Sequence, residues 1–205
     1  MLQVECCFAG SRAAGTLQAG DMLLAIDGKV ITNYRDVENA CQLVDESMGD
    51  LRLIIFRQGK EFEVPVGTDV RSGLQTTHIV IWCGYTIQET HSGVRSLGFW
   101  PPQGNGLYVS GFTSGCPADR YQDVTADWIV QVNDKPTPDL QTFVNVIKEL
   151  EHGDFVRVKM VNLDGKRHVF SLKQDLHYWP TWELKFDKET ATWIRTTIKS
   201  VSHDF

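Results

Sequence analysis

The sequence has no long apolar run and no excess of basic charge. A membrane-spanning helix needs about 20 consecutive apolar residues, and no stretch of this chain has that length. Lys and Arg number 20 against 26 Asp and Glu, which gives a formal net charge of −6. Proteins that bind nucleic acid through its phosphates concentrate Lys and Arg. We therefore expect neither a membrane span nor a nucleic-acid partner.

Cysteine is scarce and lacks the spacing of a metal or redox site. The five cysteines are odd in number and contain no Cys-x-x-Cys pair, and the six histidines do not cluster with them at ligand spacing. The cysteines are Cys6, Cys7, Cys41, Cys83 and Cys116. We expect free, buried thiols in a reducing compartment, with no metal and no cofactor.

The most informative stretch is Gly106–Lys135, which predicts strand, turn, short helix, strand and tight turn in that order. Leu107 and Val109 alternate with polar residues, which is typical of a half-buried strand. The turn Gly115–Ala118 places Pro117 at the first helical position, where proline is favoured. The second strand covers 127–132 and ends in a turn of Asn and Asp, which tolerate a left-handed backbone.

The same order of features occurs earlier, in residues 2–31. Gly10–Ala13 corresponds to Gly115–Ala118, and Asp21–Lys29 corresponds to Asp127–Lys135 without a gap. The period is about one small domain of roughly 75–100 residues. The sequence therefore predicts a tandem duplication of one domain rather than a solenoid.

Each copy continues with a helix and a closing hairpin. The first helix is predicted over 34–46 with Asn33 as its N-cap, and the second begins after Asp139. The helices carry apolar residues at i, i+3, i+4 and i+7. The hairpins are predicted over 51–66 and 155–173. This pattern indicates an α+β fold built on antiparallel sheets.

At this point the chain resembles a known family. The strand, the Gly115-Cys116-Pro117-Ala118 turn, the short helix and the Asp127–Lys135 segment resemble PDZ domains of the HtrA/Deg type. The likeness is to the C-terminal tandem PDZ region of the large, multi-PDZ Deg/HtrA-like serine proteases of fungi and plants. Residues 175–184 resemble the end segment of that subgroup. The resemblance implies two PDZ-like domains, each a small antiparallel sheet or partial barrel capped by two helices.

We predict four segments along the chain. Residues 1–70 form the first PDZ-like domain, 71–76 a linker, 77–174 the second PDZ-like domain, and 175–205 a Trp-rich extension packed on the second domain. The first domain has no counterpart of the strand predicted at 79–87. In this family that strand forms one wall of the peptide groove, so the first domain lacks half of its site.

The resemblance implies peptide recognition by β-augmentation. An extended C-terminus adds antiparallel to a strand, and N–H groups of a glycine-bearing loop hold its carboxylate. By position, the predicted peptide-binding residues are Trp82, Cys83, Gly84, Tyr85, Thr86 and Ile87, with Phe143 and Ile147 lining the pocket. The alternative is that these are ordinary core residues and the groove is closed.

A second loop competes for the carboxylate. Ser96-Leu97-Gly98-Phe99 is similar to the loop of animal PDZ domains. Prolines at 101 and 102 follow it at once, and proline has no N–H with which to pair a peptide strand. We therefore favour the loop at 82–85.

No catalysis is expected from this chain. The Gly-Asn-Ser-Gly-Gly nucleophile segment of the resembled proteases is absent, and no histidine has an Asp and a Ser in family order. The predicted function is a non-catalytic peptide-recognition or regulatory PDZ module of a Deg/HtrA-like serine protease. The alternative is degenerate PDZ domains that serve as structural or oligomerisation elements and bind no free peptide.

The resemblance also implies partners and a compartment. The partners are protein or peptide C-termini and the protease domains of the parent chain, and a homo-oligomer is a further alternative. The implied location is intracellular, in the nucleus or the chloroplast.

The extension carries a strand pattern of its own. Trp182, Leu184 and Phe186 alternate with charged residues, so they project to one side of a strand. We predict that 178–186 docks on the second unit or in the cleft between units, where it would cover a sheet edge or the groove itself. The alternative is a disordered tail. Residues 191–201 are predicted to form a short helix or to be disordered.

Overall fold

The chain forms two compact units. The computed structural model describes residues 1–44, 49–69, 76–97, 99, 101, 106–124 and 126–201. The first unit comprises Met1–Gly73 with Ser92–Gly98, and the second comprises Leu74–His91 with Phe99–Phe205. Residues 71–75 of the predicted linker lie outside the described residues.

One segment belongs to a different unit from the one the sequence predicts. Residues 92–98 fall within the predicted second domain, but the structure groups them with the first unit. The reason is a pair of hydrogen bonds: Ala9 N donates to Arg95 O at 3.0 Å, and Arg95 Nε donates to Ala9 O at 2.9 Å. The segment contains one helical turn, α2, Ser92–Arg95.

The first unit is a small antiparallel sheet with one longer helix. Its remaining elements are β1 (Leu2–Gln3), a 3-10 helix (Arg12–Gly15), β2 (Met22–Ile26), β3 (Lys29–Val30), α1 (Tyr34–Gln42), β4 (Leu51–Arg57) and β5 (Lys60–Val66). The strand order is β1-β2-β4-β5, with β3 paired to β2. Of the segment before the 3-10 helix, only Leu2–Gln3 form a strand.

The second unit is a larger antiparallel sheet. Its elements are β6 (His78–Trp82), β7 (Tyr85–Gln88), β8 (Leu107–Phe112), a 3-10 helix (Pro117–Val124), β9 (Trp128–Val132), β10 (Lys135–Pro136), α3 (Leu140–Lys148), β11 (Phe155–Val161), β12 (Arg167–Lys173), β13 (Thr181–Asp187) and β14 (Thr192–Lys199). The order is β12-β11-β9-β8-β7-β6-β13-β14, with β10 on β9. The two units together have the predicted α+β fold of tandem PDZ-like domains.

The duplication extends to individual hydrogen bonds. In the first unit Asp27 N donates to Arg52 O at 2.8 Å, and Arg52 N donates to Asp27 Oδ1 at 3.0 Å. In the second unit Asn133 and Arg157 exchange the same two bonds at 2.8 Å each. A short side-chain oxygen at this turn therefore ties the hairpin to the next strand in both copies.

The two main helices begin in the same way. The Asn33 side chain accepts a hydrogen bond from Asp36 N, and Asp36 accepts one from Asn33 N, which completes a capping box. The Asp139 side chain accepts from Thr142 N in the second unit. The predicted N-cap at Asn33 is confirmed, whereas the predicted helix end at 46 lies outside the described residues.

The extension is a β-hairpin on the edge of the second sheet. Trp182 lies opposite Ile81, and Lys185 lies opposite His78, so β13 pairs antiparallel with β6. The Glu183 carboxylate also lies 2.8 Å from the His78 ring nitrogen Nε2. The helix or disorder predicted over 191–201 is wrong, because Thr, Trp and Ile favour a strand and β14 pairs along the whole of β13.

Among the described residues, no helix combines the length and the apolar character that a membrane span requires.

Candidate peptide-binding groove

The predicted carboxylate loop is a tight hairpin turn. Trp82 and Tyr85 pair with each other across Cys83 and Gly84, whose φ angles are 51° and 85°. Two successive positive φ angles are typical of the type I′ turn that closes two-residue hairpins. The single strand predicted at 79–87 is therefore two strands, because the chain reverses in its middle.

Strand β7 has neighbours on both edges. Ile87 lies opposite Val80 of β6 on one side and opposite Val109 of β8 on the other. The backbone groups that β-augmentation would use are thus already engaged within the sheet. A peptide could pair along Thr86–Ile87 only after β6 or β8 had been displaced.

Strand β6 occupies the edge of β7 that lies opposite β8. It runs antiparallel to β7, and its last residue, Trp82, packs edge-on against Phe143 of α3 with ring centroids 5.5 Å apart. The indole Nε1 donates to Gln174 Oε1 at 2.8 Å, and Gln174 Nε2 donates to Leu150 O at 3.1 Å. Because the indole N–H has a partner, Trp82 can be wholly buried without an unsatisfied donor.

The predicted site residues come together, but they form a closed core. Thr86 is partly exposed, while the other seven predicted residues belong to the buried interior or to its tight turn. Fully or almost fully buried are Trp82, Cys83, Tyr85, Ile87, Phe143 and Ile147. The peptide-binding role of these residues and the alternative that they are ordinary core residues both stay predictions.

Two backbone hydrogen bonds hold the Cys83–Gly84 turn in place. Thr113 N donates to Gly84 O at 2.9 Å, and Ala118 N donates to Cys83 O at 3.3 Å. A Cβ at Gly84 would lie 2.2 Å from Cys116 Sγ, so only glycine fits against this thiol. Burial raises the pKa of Cys83 to about 12, which keeps the thiol neutral and unreactive.

The described residues of the competing loop, Ser96, Leu97 and Phe99, do not form a strand. Ser96 N donates to Ser92 O at 3.0 Å, so the segment continues the turn of α2, and Leu97 is largely exposed. Gly98 and Trp100 lie outside the described residues.

The first unit contains an open groove that the sequence did not reveal. Its cavity of about 830 Å³ lies between α1, residues 3–8 and the sheet. The lining positions correspond to buried core positions of the second unit. The corresponding pairs are Leu23 and Ile129, Val37 and Phe143, Cys41 and Ile147, Val44 and Leu150, Leu53 and Val158, and Val66 and Leu172. The available signal was the apolar face of α1, formed by Val37, Cys41 and Val44.

One carboxylate of the repeat differs in its electrostatics between the units. Asp21 is buried beside Arg57, whose Nε and Nη2 donate to its two oxygens at 2.6 Å each, and these bonds lower the pKa of Asp21. Asp127 occupies the same position in the second unit. Burial raises the pKa of Asp127 to about 6, although His168 Nε2, 3.1 Å away, acts in the opposite direction.

The comparisons with known proteins agree with this geometry. Residues 73–153 match the PDZ-like domain family. Protease Do-like 7 of Arabidopsis thaliana is 50% identical over 204 residues, which are 98% of this chain and 19% of that protein. Pro-apoptotic serine protease NMA111 of Debaryomyces hansenii is 35% identical over 177 residues, which are 86% of this chain and 17% of that protein.

A third relative is covered by the chain to a similar extent. Pro-apoptotic serine protease nma111 of Aspergillus terreus is 31% identical over 205 residues, which are 98% of this chain and 19% of that protein. The chain therefore spans about a fifth of the length of these curated relatives. Residues 73–153 thus match the PDZ-like domain family, and the chain is homologous over most of its length to a part of HtrA-type serine proteases.

Proposed function

We propose that this chain is a non-catalytic, regulatory protein-interaction module of an HtrA-like serine endopeptidase. In this proposal the second unit is a scaffold whose groove is closed by its own strand β6. The observation that carries the proposal is the pairing of β7 on both edges, with Trp82 buried against Phe143. The second unit would then act through its outer surface, and not by capturing free C-termini at 82–87.

Peptide recognition by the predicted residues is the second candidate. The PDZ-like match supports it, since PDZ domains bind extended peptides by β-augmentation. Here it requires that a peptide displace β6, and β6 is also held on its outer edge by β13. Displacement of β6 would therefore break its pairing with β7 and its pairing with β13 at once.

A peptide titration distinguishes the two candidates. A library of peptides with free C-termini is added to the chain, and the backbone resonances of Thr86 and Ile87 are followed by NMR. We expect no saturable shift at these positions. Saturable binding that disappears when the peptide carboxylate is amidated, together with faster hydrogen exchange at Val80 and Ile81, would instead establish displacement of β6.

Removal of the extension tests which strand closes the groove. Deleting 178–205 removes β13 and β14 but leaves β6 along β7. We expect a lower melting temperature for the second unit, because β6 loses a partner strand, and still no peptide binding. Peptide binding that appears only after this deletion would show that the extension, and not β6, blocks the site.

A further inference from the structure

The surface of the second unit carries a cleft of about 670 Å³, which we call the outer cleft. Its floor contains the buried residues Cys116, Leu172 and Gln174. Its walls come from the start of the 3-10 helix, from the turn between α3 and β11, and from the turn that follows β12. None of the residues predicted for peptide binding at 82–87, 143 and 147 is among the described residues that line it.

The lining of the outer cleft carries more positive than negative charge, although the net charge of the chain is −6. Arg120 and Lys173 are both exposed, and neither forms an ion pair in the part of the chain that the structure describes. Asp175 is the one acidic residue among the described lining residues, and its Oδ1 already accepts hydrogen bonds from His177 N at 2.9 Å and Tyr178 N at 3.1 Å. The cleft therefore presents two cations to an anionic ligand.

The turn that follows β12 is a preformed wall of the cleft. Trp179 N donates to Asp175 O at 3.1 Å, and Leu176 N donates to His152 Nδ1 at 3.1 Å. Because His152 accepts at Nδ1, its ring proton lies on Nε2, and half of this side chain is exposed and can donate to a ligand oxygen. A wall that is already ordered lowers the entropy cost of binding.

Exposed aromatic rings lie beside the two cations. Phe155 and Tyr178, which both line the cleft, are each 75% exposed. Lys173 Nζ lies 5.9 Å from the centre of the Phe155 ring, within reach of a cation–π interaction. A small anion such as phosphate would contact the cations and leave these rings in water. A polypeptide segment with both carboxylates and an apolar side chain would cover both features.

We propose that the outer cleft docks an acidic segment of a partner protein, and that this segment also carries an aromatic side chain. The proposal rests on the proposed function, since it names the surface and the partner chemistry of the interaction module. The carboxylates of the segment pair with Arg120 and Lys173, and its aromatic side chain packs on Phe155 and Tyr178. The cleft volume lies within the range of about 300–1,000 Å³ that is usual for binding sites.

A peptide with blocked ends tests the proposal. The probe consists of four Glu-Phe-Glu-Gly repeats, acetylated at its N-terminus and amidated at its C-terminus. It is titrated into the 205-residue chain while the backbone resonances of Leu172 and Trp179 are followed by NMR. We expect saturable shifts at both positions. We also expect about tenfold weaker binding, or less, when Gln replaces each Glu or when Ser replaces each Phe, because each change removes one of the two recognised features.

Two charge reversals on β12 form a matched pair. Lys173→Glu removes a cation of the cleft, whereas Arg167→Glu makes the same change in charge at the other end of the strand, outside the described lining. We expect Lys173→Glu to weaken binding about tenfold or more, and Arg167→Glu to weaken it less than about twofold. Because both positions are exposed, both variants should keep the wild-type circular dichroism and melting temperature.

Four outcomes would overturn the proposal. The first is the absence of saturable shifts at Leu172 and Trp179, and the second is equal weakening by the two charge reversals. The third is a single-stranded oligothymidine that binds as tightly as the peptide and competes with it, which would identify a nucleic-acid site. The fourth is a shift that grows with the concentration of the chain alone, which would identify a second copy as the occupant. Failure of the proposed function is distinguishable, because it is measured at Thr86 and Ile87 with peptides whose C-termini are free.

Discussion

Helices α1 and α3 are the same element of the repeat in two different environments. Each has nine residues and begins at an N-cap whose side chain accepts a backbone N–H three residues later. No residue of α1 is buried, whereas five residues of α3 are. Part of the difference lies in the helices, since α1 has Tyr34 and Glu38 where α3 has the buried Leu140 and Val144. The rest comes from the hairpin β6–β7, which covers α3 and has no counterpart over α1 in the described structure.

This comparison shows how a recognition groove and a hydrophobic core are related. The surface that a PDZ-like domain offers to a peptide strand is the same surface that its own chain can cover. Once a covalently attached strand occupies it, a peptide must compete with an intramolecular partner, which pays no association cost. The residues predicted as a binding site then become determinants of stability.

The largest expected effect is a difference between equivalent positions on the two helices. Phe143→Ala should lower the free energy of unfolding of the second unit by about 3–5 kcal/mol, the usual cost of truncating a buried Phe. Val37→Ala should lower that of the first unit by less than about 1 kcal/mol, because Val37 is only partly buried. Urea unfolding measures both values.

The two units can be followed separately in such an experiment. All six tryptophans lie in the second unit, so their fluorescence reports its unfolding alone. Hydrogen exchange at Leu53 and Ile55, in the core of the first unit, reports the other. A loss at Val37 as large as that at Phe143 would mean that α1 is covered in solution by something within this chain.

The second prediction concerns the turn that closes the groove. Gly84→Ala should lower the free energy of unfolding of the second unit by about 2–5 kcal/mol. A left-handed backbone costs a non-glycine residue roughly 1–2 kcal/mol, and the new Cβ would clash with Cys116, which adds a further 1–3 kcal/mol or so of overpacking. The measurement is urea unfolding followed by tryptophan fluorescence.

Gly153→Ala is the matched control for this substitution. Gly153 has a φ of 89°, close to the 85° of Gly84, but nothing lies within 4 Å of the Cβ position. It should cost only the backbone part, about 1–2 kcal/mol. Equal losses at both glycines would show that the turn does not press on Cys116, and that the groove is less tightly closed than the structure indicates.

Local patterns were sufficient to predict most of the fold. The α+β class, the N-cap at Asn33 and the apolar face of α3 follow from residue types at fixed spacing, which neighbours in sequence enforce. The alternation of Trp182, Leu184 and Phe186 likewise indicated a strand, which the structure pairs with β6. These features depend mainly on residues that are close together in the sequence.

The hairpin turn at Cys83–Gly84 was not predicted, because its sequence is unusual for such a turn. Asn-Gly and Asp-Gly are the usual two-residue hairpin turns, and here Cys83 takes the first position with φ 51°. Gly84 alone fitted a carboxylate-binding loop equally well. The resemblance also favoured a continuous strand, and the choice between strand and hairpin is made by tertiary packing against Phe143 and Cys116.

The smallest expected effect compares two carboxylates at the same repeat position. Asp21 has its pKa lowered by the hydrogen bonds from Arg57, so it stabilises the first unit above its ordinary pKa, and the contribution is lost as the pH falls through the lowered value. Asp127 has its pKa raised by burial to about 6. Its contribution to the second unit is fully present below the unfolded value and is lost as the pH rises through about 6.

Substitution by asparagine should therefore have opposite consequences in the two units. At pH 7.5, Asp127→Asn should raise the free energy of unfolding of the second unit by about 2–3 kcal/mol, because a neutral amide replaces a buried charge whose pKa is raised from 3.8 to about 6 and each pKa unit corresponds to about 1.4 kcal/mol. The gain should shrink as the pH falls from 7 to 5, since the wild-type carboxylate then takes up its own proton. Asp21→Asn should destabilise the first unit throughout that range, because the Arg57 guanidinium loses its carboxylate.

Urea unfolding at pH 7.5, 6 and 5 measures these differences through tryptophan fluorescence and hydrogen exchange. If the effect of Asp127→Asn were the same at all three pH values, His168 would have to hold the Asp127 carboxylate charged. Both carboxylates would then be ionised beside a cationic partner, Asp21 beside Arg57 and Asp127 beside His168.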